Sequence, residues 1–410
     1  MLKRTRGSVL LMLLSLSTAT AQTTNPYVQA IIGLVNIDSL SLTVRELSGD
    51  KDVIVDGQTT RIYSRLRGTP GNALATKYVT QRLSAYGLSV QVQTYNPPSS
   101  NVIAVQQGSD SPQRKVIICA HFDAIASGDT IPGADDNASG TAAVIEAARI
   151  LSKYRFGRTT VYALWNEEEQ GLIGSARYVQ SIANPRDSVE AIVNLDMIAW
   201  DSNNDMKAQI HASGVARSAA LADTMLYVNE TYGIGLQPSI FNPGTGASDH
   251  SSFWNSGRSA VLLIEGYYGP GNDFNSYYHT RNDLFKNFNL AFFQGCAKLG
   301  LGTIATVAGP LGPVAVQTLA YVPSAFHLGQ NYPNPFNPTT VITYEVATQG
   351  NVDLSVFDLL GRKVATLVNE QKSSGVYSVQ WHASMLPSGI YFYSLNVGSY
   401  RETKRMILLK

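Results

Sequence analysis

Cysteine is nearly absent: Cys119 and Cys296 are the two in a chain of 410 residues. Cys119 sits inside the apolar run Val116-Ile117-Ile118-Cys119-Ala120 and reads as a buried strand residue, so no disulfide framework organises this fold. An excess of one charge is lacking as well, with 31 Lys and Arg against 30 Asp and Glu, which excludes the basic surface that nucleic acid requires. No internal repeat or low-complexity tract stands out. Beyond the N-terminus no stretch is expected to span a bilayer, which takes about 20 apolar residues. What remains is ordinary globular material, 44% hydrophobic and 15% charged, long enough for two or three domains and a sizeable core.

The N-terminus reads Lys3-Arg4-Thr5-Arg6, then an apolar run over 9–16, then Ala19-Thr20-Ala21. A charged region, a short hydrophobic region and small residues at a cleavage site make 1–21 an expected secretory signal peptide. Its removal takes Lys3, Arg4 and Arg6 from the 31 basic residues and leaves 28 against 30 acidic ones. Residues 22–60 carry two short helical patterns, readable as a leading cap on the main domain or as a removable pro-segment. From 61 to 308 strands and helices alternate: an amphipathic helix ending at Gly87, strands at 88–95, 101–106, 115–120, 159–165, 190–195 and 259–265, and helices at 140–154, 174–181, 216–232 and 289–307. Near-continuous apolar strands between helices predict an α/β/α sandwich with a mostly parallel central sheet. A Gly- and Pro-containing linker is expected at 309–325. From 326 to 410 short alternating strands separated by turn signals, without a helical period, predict a small all-β sandwich.

The stretch Pro132-Gly133-Ala134-Asp135-Asp136-Asn137-Ala138-Ser139-Gly140-Thr141 places two adjacent carboxylates at the entrance of a helix that Asn137 or Ser139 can cap. An acidic turn with a helix cap has the same composition. Its company along the chain argues for chemistry, because in parallel sheets the site lies at the carboxyl ends of the strands, and several ends here are loaded. His121-Phe122-Asp123 follows one strand, and residues two apart share a face, so Asp123 can orient the His121 imidazole. Asn166-Glu167-Glu168-Glu169-Gln170-Gly171-Leu172 follows another, Asp196-Met197 a third, and Ser276-Tyr277-Tyr278-His279-Thr280 lies beyond a fourth. Two histidines and three carboxylates from five segments are what a co-catalytic metal pair needs, one carboxylate bridging and one His plus one carboxylate on each ion.

These motifs, His121-Phe122-Asp123, 133–140, 168–175, Asn194-Leu195-Asp196-Met197 and 278–283, occur in the order found in metallopeptidase family 28, and the chain resembles its di-zinc aminopeptidases of the bacterial leucyl type over roughly 61–307. The resemblance implies a zinc exopeptidase-like fold with two zinc ions. Asp136 would bridge them, His121 and Asp196 would hold one, Glu169 and His279 the other, and Glu168 would be the general base. Within Glu167-Glu168-Glu169 any adjacent pair could serve by itself; the family spacing to Gly171 selects the last two, so a change at Glu167 is expected to do little. The resemblance also implies a cis Asp136-Asn137 bond. Tyr278, beside a ligand, either donates to the developing oxyanion or packs. His250, His211, His327 and His382 read as structural or surface residues.

The last eighty-five residues have a resemblance of their own. Leu328-Gly329-Gln330-Asn331-Tyr332-Pro333-Asn334-Pro335-Phe336-Asn337-Pro338, Asp358-Leu359-Leu360-Gly361-Arg362 and Ser388-Gly389-Ile390-Tyr391 look like the C-terminal sorting domain of type IX (Por) secretion cargo. That implies export through the periplasm to a secreted or surface-attached state, with the secretion machinery as partner. A carbohydrate-binding sandwich is the alternative, although Trp381 and Tyr391 read as core. The combined expectation is a secreted metallo-aminopeptidase acting on peptides with a free N-terminus. Its rivals are a carboxypeptidase or a glutaminyl cyclase on the same fold, or a non-catalytic binding module.

Overall fold

In the computed structural model, which describes residues 24–182, 188–269, 272–314 and 325–409, the chain divides into two units, one within 1–314 and one within 315–410. The expected signal peptide and most of the expected linker lie outside the described residues. The first unit opens with α1 (Pro26–Gly33) and α2 (Ile37–Leu47), capped by the side chains of Asn25 and Asn36. Val28, Ile31, Leu40, Val44 and Leu47 are buried in the main core, and the carboxylate of Glu146 accepts from Asn36 N and Ser39 Oγ, both at 2.9 Å. The two helices are thus built into the core, where each buried Leu or Ile contributes ~1.5–3 kcal/mol.

The hairpin β1 (Val53–Val55) and β2 (Gln58–Thr60) precedes α3 (Pro70–Ser84). Then follow β3 (Ser89–Asn96), β4 (Ser99–Gln106), β5 (Ser111–His121), α4 (Gly140–Leu151), β6 (Tyr154–Phe156), β7 (Arg158–Trp165), α5 (Ile173–Ser181), β8 (Ser188–Leu195), β9 (Lys207–His211), α6 (Ser218–Thr231), β10 (Gln237–Phe241), α7 (His250–Trp254), β11 (Ala260–Ile264), α8 (Leu290–Ala308) and β12 (Pro310–Pro313). An eight-stranded sheet runs β10-β9-β11-β8-β5-β7-β4-β3. Its middle, β11-β8-β5-β7, is parallel; β4 and β3 add antiparallel on one side, and β9 pairs antiparallel with β11 on the other. The sheet is therefore mixed, with the parallel part at its centre.

Burial explains why the middle strands read as continuous apolar runs. Val116, Ile118 and Ala120 of β5 enter one core cluster, and Ile117 and Cys119 enter another on the opposite face. α8 has the length and apolarity of a membrane span, contrary to the expectation that no later stretch would, but it lies in the core, with Phe292, Phe293, Leu299 and Ile304 buried. Both cysteines are free and buried.

The second unit packs the sheet β13 (His327–Leu328), β14 (Thr339–Val346) and β17 (Gly375–His382) with the sheet β16 (Lys363–Lys372), β15 (Gly350–Phe357), β18 (Gly389–Val397) and β19 (Tyr400–Leu408). Its own core holds Ile342, Leu354, Tyr393 and Met406, together with Trp381 and Tyr391. β16, absent from the sequence expectation, is an edge strand whose residues are all exposed or half-buried, so its apolar alternation is weak.

Candidate metal centre

The parallel middle of the sheet delivers the polar residues to one edge. His121 is the last residue of β5, Glu167 to Glu169 follow β7, and Asp196 follows β8. Asp136 comes from a bulged turn, Ala134–Ser139, just before α4, and His279 from the loop beyond β11. His121, Asp136, Glu168, Glu169 and Asp196 line a cavity of about 50 Å³, with His279 beside Asp136 and Glu169 at its rim and Glu167 turned away toward Arg67.

Asp136 stands at the centre. Its Oδ1 lies 3.3 Å from His121 Nε2 and its Oδ2 lies 3.2 Å from His279 Nε2, so one carboxylate faces two imidazoles on opposite sides. His121 Nε2 is also 3.3 Å from Asp196 Oδ1, and His279 Nε2 is 3.0 Å from Glu169 Oε2. His121, Asp136 and Glu169 each offer a ligand atom within 4.8 Å of one another, as do His121, Glu168 and Asp196. Every residue expected to touch a metal is therefore in this cluster, and Glu168, the expected base, lies with them.

The turn carrying Asp136 is held from several sides. Gly133 has φ +46° and a Cβ there would lie 2.3 Å from the Asp136 carbonyl oxygen, so the turn needs glycine. The Asp283 carboxylate accepts the N–H groups of Asp135 and Asp136 at 3.0 Å. Asn137 donates to Leu195 O at 2.9 Å and accepts Gly140 N–H at 2.8 Å, so Asn137 provides the cap of α4; a Cβ on Gly140 would meet Leu195 O at 2.4 Å. The Asp136-Asn137 bond is cis. Asp135 turns away from the cavity, accepting from Ala199 N and Asn275 Nδ2.

Arg65 lies beneath, fully buried. It donates to the carbonyls of Phe122 (2.6 Å), Leu47, Pro132 and Gly133 (each 2.7 Å), so one side chain ties α2, the end of β5 and the Asp136 turn together. Asp196 is fixed by Ser248 Oγ at 2.6 Å, which in turn accepts from Asn194 Nδ2 at 2.8 Å.

Crowding sets the electrostatics. Burial would raise the Asp136 carboxyl, but the hydrogen bonds and charges of His121 and His279 outweigh it and hold the group well below the usual carboxylate range. Burial opposes charge on His279, yet bonds to Asp136 and Glu169 bring it up to about 10. Burial, reinforced by the Asp136 charge, pushes Glu169 up to about 7 against the pull of His279. Burial also lifts Glu168 well above its ordinary value, with Asp249 and Asp196 adding to it. No Lys or Arg is among the described residues lining the cavity, and Glu169 Oε1 is buried without a hydrogen-bond partner. Carboxylates that outnumber the imidazoles among them, with no Lys or Arg beside them and one oxygen facing nothing, fit a divalent ion bound through N and O, and zinc suits that donor set.

Three residues carry more than their sequence reading gave them. Asp123 sits beside His121, its backbone carbonyl 3.3 Å and its carboxylate 3.5 Å from the imidazole Nδ1, and the carboxylate has a second task, accepting the N–H groups of Glu168 and Glu169. Glu167, expected to be indifferent, is fully buried, pairs with Arg67 and accepts from Ser99 Oγ at 2.7 Å. Asp249 was not singled out; it is fully buried with both carboxylate oxygens unpartnered, and burial raises it to about 7. Tyr278 lines the cavity with its ring stacked on His279 at 3.6 Å. His250 and His211 are buried and bonded to Thr245 O and Gln209 Oε1, whereas His327 and His382 lie in the second unit. The signals for Arg65 and Asp283 were weak: Asp283 closes the motif at 278–283 without an evident task, and Arg65 is one basic residue among many.

An α/β/α unit with a His and carboxylate cluster at the carboxyl ends of parallel strands, followed by a β-sandwich, defines a metal-binding catalytic-type domain with an appended module. More particularly, the chain carries a Peptidase family M28 domain, matched at residues 101–304, and a secretion system C-terminal sorting domain, matched at 330–409. It is 29% identical over 245 residues to leupeptin-inactivating enzyme 1 of Streptomyces exfoliatus, covering 55% of this chain and 53% of that protein. The chain thus spans about half the length of that relative. In fold it is similar to BSAP, a zinc aminopeptidase from Bacillus subtilis (TM-score 0.58, 15% identity, 67% of this chain and 96% of that one). It is similar also to Porphyromonas gingivalis glutaminyl cyclase (TM-score 0.56, 18% identity, 67% and 99%).

Proposed function

We propose that the first unit is a zinc aminopeptidase that removes apolar N-terminal residues from peptides, with two zinc ions per chain. The observation that carries this reading is the Asp136 carboxylate, whose two oxygens face His121 and His279 separately. His121 and Asp196 would hold one ion, Glu169 and His279 the other, and Asp136 both. When bound, the pair would supply Lewis acidity, lowering the pKa of water and polarising the scissile carbonyl.

The chain's own residues supply the rest. Glu168, with its carboxyl raised by burial, is placed to take the proton of the attacking water and return it to the departing amine. Asp123 sets the backbone from which Glu168 and Glu169 project. Tyr278 stands over His279 where it can donate to the oxygen that gains charge. A free amine has acidic partners in the same cavity, which favours an exopeptidase. Met197, Leu262, Ile264, Tyr267 and Phe274 form an apolar wall beside the cluster, which favours an apolar N-terminal side chain. The sorting domain supports export through the periplasm by type IX secretion, to a secreted or surface-attached state.

A panel of free and N-acetylated aminoacyl substrates, with and without a chelator, tests the reading. Hydrolysis of free leucyl substrates that a chelator stops is the expected result. Equal turnover of acetylated substrates, or cyclisation of N-terminal glutamine with one ion per chain, would reject it.

A further inference from the structure

The opposite edge of the same sheet holds a larger cavity, of about 580 Å³. Its wall is made where β5, β7 and β8 begin, with Arg114, Arg158 and Glu190, and where α6 and β11 begin, with Arg217 and with Arg258-Ser259. Among the described residues, four guanidinium groups and one carboxylate line it. Glu190 is already fully engaged: Arg114 Nε bonds one oxygen and Arg158 Nε the other, at 2.8 Å for Arg158. Arg158 also donates to Val307 O at 2.7 Å, and Arg258 spends one nitrogen on Ile182 O at 3.0 Å. Arg217 has no side-chain partner among the described residues, and the rest of the Arg258 fork has none.

Two further features point the same way. Ser259, 4% exposed and lining this cavity, has a hydroxyl without a hydrogen-bond partner among the described residues. A buried unpaired hydroxyl is unfavourable unless something completes it. α6 lies along the wall with Arg217, Ala220, Leu221 and Thr224 on one face, and the positive end of its dipole adds to the arginines. Like charges gathered around an unsatisfied donor are unfavourable alone and favourable around an anion.

We propose that this cavity is a binding site for a phosphate group. Arg217 and Arg258 embrace the oxyanion with planar forks, and Ser259 Oγ donates from the floor. The volume leaves room for more than one phosphate, so the group is carried either by free inorganic phosphate or by a small phosphate ester. The site lies at the opposite edge of the sheet from the metal cluster and does not rest on the proposed peptidase activity.

Calorimetric titration of the metal-loaded full chain at low ionic strength tests it, with inorganic phosphate in one arm and glucose 1-phosphate in the other. Binding of at least one probe is expected; the ester arm binding as well assigns the site to phosphate-bearing molecules, and its failure assigns it to the free anion. Arg217→Gln/Arg258→Gln should weaken binding at least about tenfold and Ser259→Ala by a smaller factor, while peptide hydrolysis stays unchanged. Should the double variant misfold, Arg217→Gln alone, at an exposed position, carries the same expectation with a smaller factor. Absence of binding by both probes, binding unaltered in the arginine variants, or binding lost in His279→Ala and retained in Arg217→Gln, overturns the assignment.

Discussion

The carboxylate of Asp123 accepts the backbone N–H of Glu168 at 3.2 Å through Oδ1, and its other oxygen takes the next N–H, that of Glu169, at 3.3 Å. One residue at the end of β5 thereby sets the path of the segment after β7. Asp123→Asn removes the charge and one acceptor, leaving a buried N–H poorly paired at a cost of ~1–3 kcal/mol. Zinc affinity, measured by competition with a chelator, should fall on the order of 10- to 100-fold, the usual effect of losing support behind a ligand. Unchanged affinity would show that the Glu169 backbone holds its place without Asp123.

Three consecutive glutamates should respond in three different ways. Glu168→Gln keeps fold and metal content and loses on the order of 10²–10⁴ in turnover, the contribution of a positioned base. Glu169→Gln releases metal. Glu167→Gln disturbs a buried residue paired with Arg67 and Ser99, so it lowers the melting temperature by the equivalent of ~1–3 kcal/mol with its metal retained. Turnover lost in Glu167→Gln and kept in Glu168→Gln would shift the base and ligand assignments by one.

Metal stoichiometry bears directly on Asp136. Elemental analysis of metal-replete protein should return two zinc ions per chain, and Asp136→Asn, which weakens the group between both histidines, should return one or none. A single ion in the unmodified protein removes the bridging role and favours the cyclase reading.

Burial pulls His211 down to about 4 and His250 down to about 3 from an ordinary value of 6.5. Both stay neutral in the fold while the unfolded chain takes up protons below pH 6.5, so the stability they contribute is present above 6.5 and is lost as pH falls through these lowered values. The denaturation midpoint should decline as pH drops below 6.5, and His211→Gln/His250→Gln should flatten part of that decline. An identical slope in the double variant contradicts the account.

The β-sandwich has a core of its own, in Ile342, Leu354, Tyr393 and Met406. Deleting 326–410 should leave peptide hydrolysis intact and abolish delivery to the cell exterior, read by fractionating cells that make either form. Normal delivery of the truncated chain would refute the sorting role.

Much of this protein is determined locally. The apolar runs of β5, β7, β8 and β11 and the helical spacing of α4 and α8 are properties of short windows, as are the ordered motifs around His121, Asp136, Glu168, Asp196 and His279. β9, β10 and α7 escaped because each is five residues long and broken by polar residues, so neither a period nor an apolar run like that of β11 marks it. The rest was decided by contacts between distant segments. Nothing near Arg65 in the chain indicates that its guanidinium would be buried under the Asp136 turn, 67 and 68 residues away. Nor does the run of three glutamates reveal that Glu167 would face Arg67 and Ser99 while its neighbours face the cavity. Side-chain type sets which bonds a residue can make, but the direction in which it makes them follows from how the strands pair, and that is settled only when the whole sheet has closed.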